Sequence, residues 1–151
     1  MAVTMEQVRA ELEKDEPRYA RAAGLGPDAL PHLEELARDD DPMIASKAVY
    51  LAGLIQHEAA DRVLTEAASH DDPRIRLAAA STARHRSGEA ASEVLVPLVN
   101  DDDMGVRKVA LRSVPSEPTG DLRRAVEGLA DAPDEATRRL SQQTLRRLQG
   151  D

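Results

Sequence analysis

Three groups of side chains have the types and spacing to do chemistry. The first is acidic: Asp39-Asp40-Asp41, Asp71-Asp72 and Asp101-Asp102-Asp103 are clustered carboxylates of the kind that bind calcium. A calcium loop also needs a glycine at its sharp bend, as in Asp-x-Asp-x-Asp-Gly, and that spacing is missing. The last Asp of each cluster instead precedes a helical pattern, twice with a proline next (Pro42, Pro73). That is an N-cap followed by a first-turn proline, worth about 1 kcal/mol per cap, and the other carboxylates suit the positive end of the helix dipole. The second group is cationic. Arg76, Arg107 and Arg138 each follow an Asp (Asp72, Asp103, Asp134) by four residues, a spacing that suits a helical ion pair or a row of phosphate contacts. The third is His57-Glu58, a nucleus for metal or proton chemistry. A metal centre needs several convergent ligands, and His32, His70 and His85 are each followed by something other than Glu. His57 therefore reads as a solvated turn histidine. No Cys, Gly-x-Ser-x-Gly elbow or Walker loop is present. No catalytic, cofactor-binding or metal residue is assigned.

Composition limits which elements position these groups. In 151 residues there are 20 Lys plus Arg and 28 Asp plus Glu, a net charge of −8 and a pI near 5.0. Such a chain is repelled by phosphate, and without Phe or Trp it builds no stacking platform, so nucleic acid is not an expected partner. No apolar run is long enough to cross a membrane. The stretch from Met1 to Lys14 lacks a signal pattern, and the absence of cysteine suits a reducing compartment, so a cytoplasmic location is expected. The core must come from 25 Ala and 17 Leu, strong helix formers whose small contacts suit close-packed helices. The best apolar strand-like run, residues 94–99, is broken by Pro97. The expectation is all-α.

The chain also repeats itself. Asp41-Pro42-Met43-Ile44 recurs as Asp72-Pro73-Arg74-Ile75, as Asp103-Met104-Gly105-Val106 and, weakly, as Asp134-Glu135-Ala136-Thr137, at a constant spacing of 31 residues. In that register Ala48, Ala79, Ala110 and Ser141 form a small column, and Ala52, Ala83, Val114 and Leu145 an apolar one. Leu33, Leu64, Leu95 and Val126 form another, as do Leu36, Ala67, Leu98 and Leu129. Apolar positions at offsets 0, 3, 4, 7 and 8 predict two helices per unit. The first are expected near 42–55, 73–86, 104–114 and 135–148, the second near 28–38, 59–69, 90–100 and 121–130. Residues 4–14 and 17–24 read as atypical capping helices. Tyr50 stands in an otherwise polar column (Ser81, Arg112, Gln143) and is expected to pack on that N-terminal segment.

Asp72-Pro73-Arg74-Ile75-Arg76-Leu77-Ala78-Ala79 and Asp103-Met104-Gly105-Val106-Arg107-Lys108-Val109-Ala110 resemble the Asp-x-x-Val-Arg-x-x-Ala core of HEAT repeats, in the short bacterial form similar to the repeats of phycobilin-lyase subunits. The resemblance covers about residues 17–148. It implies a right-handed α-solenoid of four to five helical hairpins: one domain over 1–151, with caps in 1–26 and repeats near 27–56, 57–87, 88–118 and 119–148. It also implies that Asp72, Arg76, Asp103, Arg107, Asp134 and Arg138 form a structural ladder between repeats. Repeat one departs from the pattern, with Ala45 where the Arg would stand.

Solenoids offer their concave side to partners, and the resemblance places the second helices there. Their outward positions include Glu34, Glu35, Arg62, Glu66, Glu93, Val96, Pro97, Asn100, Arg124 and Glu127. This mildly acidic strip, with Val96 and Pro97 as an apolar foothold, implies a non-catalytic adaptor whose protein partner presents basic residues; no small-molecule substrate is indicated. Two further readings come from HEAT-like relatives: an accessory subunit of an enzyme, as in phycobilin lyases, and a metal-dependent hydroxylase of the deoxyhypusine hydroxylase kind. The second needs several His-Glu pairs, and only His57-Glu58 is present. Arg138-Arg139 and Arg146-Arg147 form a local basic patch that reads as a charged helix face or, alternatively, as a dock for an acidic partner.

Overall fold

The computed structural model describes residues 2–150, in which ten α-helices follow one another with no strand among the described residues. They are α1 (Met5–Leu12), α2 (Tyr19–Ala22), α3 (Leu30–Leu36), α4 (Pro42–Leu54), α5 (Ala59–Ala67), α6 (Pro73–Thr82), α7 (Gly88–Leu98), α8 (Met104–Arg112), α9 (Gly120–Gly128) and α10 (Glu135–Leu148). Each expected helix is present. The main departure is α6, which gives way to a 3-10 turn at Ala83–His85. There Thr82 turns its hydroxyl back onto the Ala78 carbonyl, and Arg86 leaves the helix in extended conformation.

Local chemistry starts each repeat helix. Asp41, Asp72, Asp103 and Asp134 are N-caps that accept from the backbone N–H of Met43, Arg74, Val106 and Thr137 at 2.8–3.0 Å. Ser87 and Thr119 cap α7 and α9 in the same way. Thr4 and Gln7 close a reciprocal capping box on α1.

The helices stack in two rows, α3–α5–α7–α9 and α4–α6–α8–α10, with the core between them. Leu33, Leu64, Leu95 and Val126 are fully buried from one row, and Ala48, Ala79, Ala110 and Ser141 from the other. Side-chain size sets the spacing. The alanine column lets α4, α6, α8 and α10 close up, and they lie in much closer mutual contact than α3, α5, α7 and α9 do. The closest point is Gly53, where an added Cβ would collide with Thr82. In a curved two-layer stack the more tightly spaced row is the inner one. By this spacing α4, α6, α8 and α10 form the inner row and α3, α5, α7 and α9 the outer one. Glu34, Glu35, Arg62, Glu66, Glu93, Val96, Pro97, Asn100, Arg124 and Glu127, the positions expected to meet a partner, belong to the more widely spaced outer row. The helical pattern shows which residues face solvent but not which row is crowded.

The N-terminal segment packs on the first repeat. α1 and α2 lie against α3 and α4, and Tyr50 meets Tyr19 with ring centroids 4.6 Å apart and planes tilted by 60°. That is the contact expected for Tyr50, with the tilted geometry aromatic pairs favour.

Candidate functional site

The repeated charged residues hold the stack together. Arg76 donates to both carboxylate oxygens of Asp101 at 2.8 and 3.0 Å, and to the carbonyls of His70 and Asp71 at 2.8 and 2.9 Å. One guanidinium thus ties the loop before its own helix to the loop before the next. Arg107 repeats the first half, donating to the Asp101 and Asp102 carbonyls, and reaches Thr137 Oγ1 at 3.2 Å and Asp134 at 4.0 Å. Arg138 keeps the backbone contact alone, to the Ala132 carbonyl at 3.0 Å.

Arg76 and Arg107 bridge repeats, but not through the Asp four residues earlier, and among the described residues Arg138 does not reach a neighbouring repeat. Asp72, Asp103 and Asp134 turn their carboxylates to their own helix N-termini as caps, so the partner is the loop of the following repeat. Asp101, which the sequence pattern does not mark as a ladder residue, is the main acceptor. Burial works to raise its pKa and is outweighed by the Arg76 hydrogen bonds and the Asp103 N–H, leaving it below the ordinary value. Asp72, beside Arg74, is lowered to about 2 by that guanidinium and by the Arg74 N–H. Asp134 is lowered by the Thr137 hydroxyl and N–H.

Arg86 is a second staple that pattern reading misses. Almost fully buried, it donates to Asp61 at 2.8 Å and to the carbonyls of Gly53, Ile55 and His57 at the turn where α4 ends. No repeat column singles it out. His57 is exposed at that same turn, and its Nδ1 accepts the Ala59 N–H. Among the described residues no three His, Asp or Glu side chains converge as metal ligands.

Two surfaces remain. On the outer row the structure brings Glu34 and Glu66 to one cation: Arg38 lies 2.7 Å from Glu66 and 3.5 Å from Glu34. Arg124 pairs with Asp121. Glu35, Glu93 and Glu127 form no ion pair among the described residues. Pro97 and Asn100 are exposed, with Val96 half-buried between them.

The inner row has the opposite sign. Within α4, α6 and α8 there is no acid, and α10 has only Glu135, at its start. Its outward stripe carries Lys47, Arg74, Lys108, Arg112 and Arg139. At one end lies a groove of about 390 Å³, floored by Tyr19, Tyr50, Leu77 and Ala78 and flanked by Met43 and Arg74. Met43 is the exposed large hydrophobic residue among the described residues, at 52%. The signal for this face is in the sequence: the Asp-capped helices lose their acids after the cap.

Paired helices in two rows, capped by Asp and stapled by Arg from one repeat to the next, define an α-solenoid. A family model for HEAT repeats matches residues 30–115, more than half of the chain, and the protein belongs to that family. No curated protein matches it. Among solved structures it is similar to an engineered protein at 19% identity, over 97% of this chain and 81% of that one, with a TM-score of 0.56. It is also similar to a designed armadillo repeat protein in complex with the peptide (KR)4, at 15% identity over 95% of this chain and 73% of that one, with a TM-score of 0.61. At these identities the likeness concerns the fold.

Proposed function

We propose that this protein is a non-catalytic scaffold that binds another protein on the exposed faces of its helix stack, with residues 1–26 serving as a cap within one repeat domain. The observation that carries this reading is a division of labour among the side chains. The repeated polar residues, which are the ones with chemical potential, are engaged in caps and staples, as Asp72, Arg76, Asp103 and Arg107 show. What differs from repeat to repeat lies in solvent-facing columns such as Met43, Arg74, Gly105 and Ala136. A rigid frame with a variable surface is what a binding solenoid needs. That a designed armadillo neighbour of similar fold holds a peptide accords with this.

On the outer row, Glu35, Glu93 and Glu127, with Val96 and Pro97 between them, favour a partner that presents Lys or Arg; such charges mainly speed association and select partners. The absence of cysteine and of any helix long and apolar enough to cross a membrane among the described residues favours a cytoplasmic setting. The test is cross-linked capture from native lysate by the wild type, by Glu93→Lys/Glu127→Lys, and by Lys108→Glu/Arg139→Glu. Helical content is checked by circular dichroism. A partner lost with either charge reversal supports the proposal, and its identity shows whether it is an enzyme. Capture indifferent to both reversals overturns it.

A further inference from the structure

The inner row is built in two parts. At the α2–α4–α6 end is the apolar groove over Tyr19, Tyr50 and Leu77. Beyond it, Lys108, Arg112 and Arg139 stand on α8 and α10 at successive outward positions, and none of the three forms an ion pair among the described residues. In a chain of net charge −8, a face whose helices exclude acids is a local field of reversed sign, and such fields select ligands. We propose that this face docks an extended acidic segment of a partner protein, which seats one large apolar side chain in the groove and lays its carboxylates along α8 and α10. The inference rests on the scaffold reading above and specifies the ligand of its inner row.

Dimensions and chemistry favour that occupant. The groove volume suits a single Leu, Phe or Trp side chain, an anchor within a charged rim. Adjacent helices pack about 8–10 Å apart, and an extended chain advances about 3.3 Å per residue. An anchor between α4 and α6 is therefore about six residues from Arg139. Arg and Lys differ usefully here: Arg112 and Arg139 offer forked donors that match carboxylates, while Lys108 is a point charge. A nucleic-acid strand shares the negative charge but is the poorer fit. Stacked bases need free aromatic faces, whereas Tyr19 and Tyr50 face each other.

The test is selection from a random twelve-residue peptide display library on the whole chain, followed by anisotropy titration of the best labelled peptide. The expected winners carry several Asp or Glu and one large apolar residue. Binding is expected to weaken at least tenfold in Arg112→Ser/Arg139→Ser and in Leu77→Ser, and to fall as salt is raised. It is expected to be unchanged within about twofold in Arg38→Ala, which removes an arginine from the outer row. Enrichment of basic or uncharged peptides, no enrichment, or binding unaffected by the arginine substitutions overturns the inference. A twelve-nucleotide single strand that binds as tightly through the same arginines overturns it too, in favour of nucleic acid. If lysate capture depends on Glu93 and Glu127 while no acidic peptide is selected, the scaffold reading stands and this one falls.

Discussion

Truncation of Arg76 separates the observed staple from the ion pair that sequence spacing implies. The Arg76 side chain is 17% exposed and the Asp101 side chain 7%, so the pair is largely removed from water, and Arg76 has two backbone carbonyls as well. Arg76→Ala leaves Asp101 buried with only the Asp103 N–H as donor. Breaking a buried pair by removing one partner costs about 3–5 kcal/mol; the residual exposure and that remaining donor put the expected loss near the lower end, about 3 kcal/mol. Arg38→Ala removes a contact of similar length, 2.7 Å, but between groups 61% and 46% exposed, and should cost under about 1 kcal/mol. Urea unfolding followed by circular dichroism measures both. A double-mutant cycle between Arg76→Ala and Asp101→Asn should show coupling above about 1.5 kcal/mol, and one between Arg76→Ala and Asp72→Asn almost none. Equal losses for Arg76→Ala and Arg38→Ala, or coupling to Asp72 in place of Asp101, would refute the assignment.

Three other outcomes follow from particular contacts. Ser141 Oγ is buried without a hydrogen-bond partner in a column otherwise filled by Ala48, Ala79 and Ala110, so Ser141→Ala should raise the urea midpoint, by up to about 1 kcal/mol of stability. Gly53→Ala places a methyl into Thr82 where α4 and α6 touch and should destabilise by about 1–3 kcal/mol in the same assay despite alanine's better helix propensity. Asp72, Asp101 and Asp134 are held below the ordinary carboxylate value. Their contribution is complete well above the ordinary carboxylate value and is lost as pH falls below it, through each lowered folded value (about 2 for Asp72). The urea midpoint should therefore drop across that window, and less steeply in Asp101→Asn.

Much of the fold was legible because it is written in columns. Buried Leu and Ala at fixed spacing, and an Asp before each first helix, carry both period and helix boundaries, since burial and capping are local demands. Tyr50 was legible as an outlier in its column. The ladder was legible in membership but not in pairing. An Asp-to-Arg spacing of four looks the same whether the carboxylate turns to the guanidinium or to its own helix N-terminus, and the backbone donors won at all three sites. Arg86 and Asp101 escaped because each works through a contact distant in sequence, 25 residues away in both cases. Which row packs more tightly was not legible, for a related reason. Outward-facing positions follow from helical periodicity, but curvature depends on which row the small residues allow to close.

The ladder's gaps fall in a pattern that bears on how the surface is held. The Arg position of repeat one is Ala45, and the loop position that would receive it is His70 where other loops have Asp39 and Asp101. Both halves of that rung are missing together, so no charge is stranded. His70 uses its Nδ1 to accept the Asp72 N–H, the same duty Asp39 and Asp101 perform for Asp41 and Asp103. Asp39, with no repeat before it, takes Arg9 of α1 at 3.1 Å, so the N-terminal helix substitutes for a preceding repeat. Between repeats one and two, cohesion comes from the Arg86 staple and from the close α4–α6 contact at Gly53 and Thr82. The Tyr50–Leu77 groove is lined largely by the same two helices. The junction without a ladder rung is thus held by close backbone approach and the Arg86 staple, with Arg38–Glu66 as an exposed ion pair across it. A docking groove there is lined by apolar side chains together with two cations, Lys47 and Arg74, so an apolar anchor would sit beside charges that suit an acidic segment.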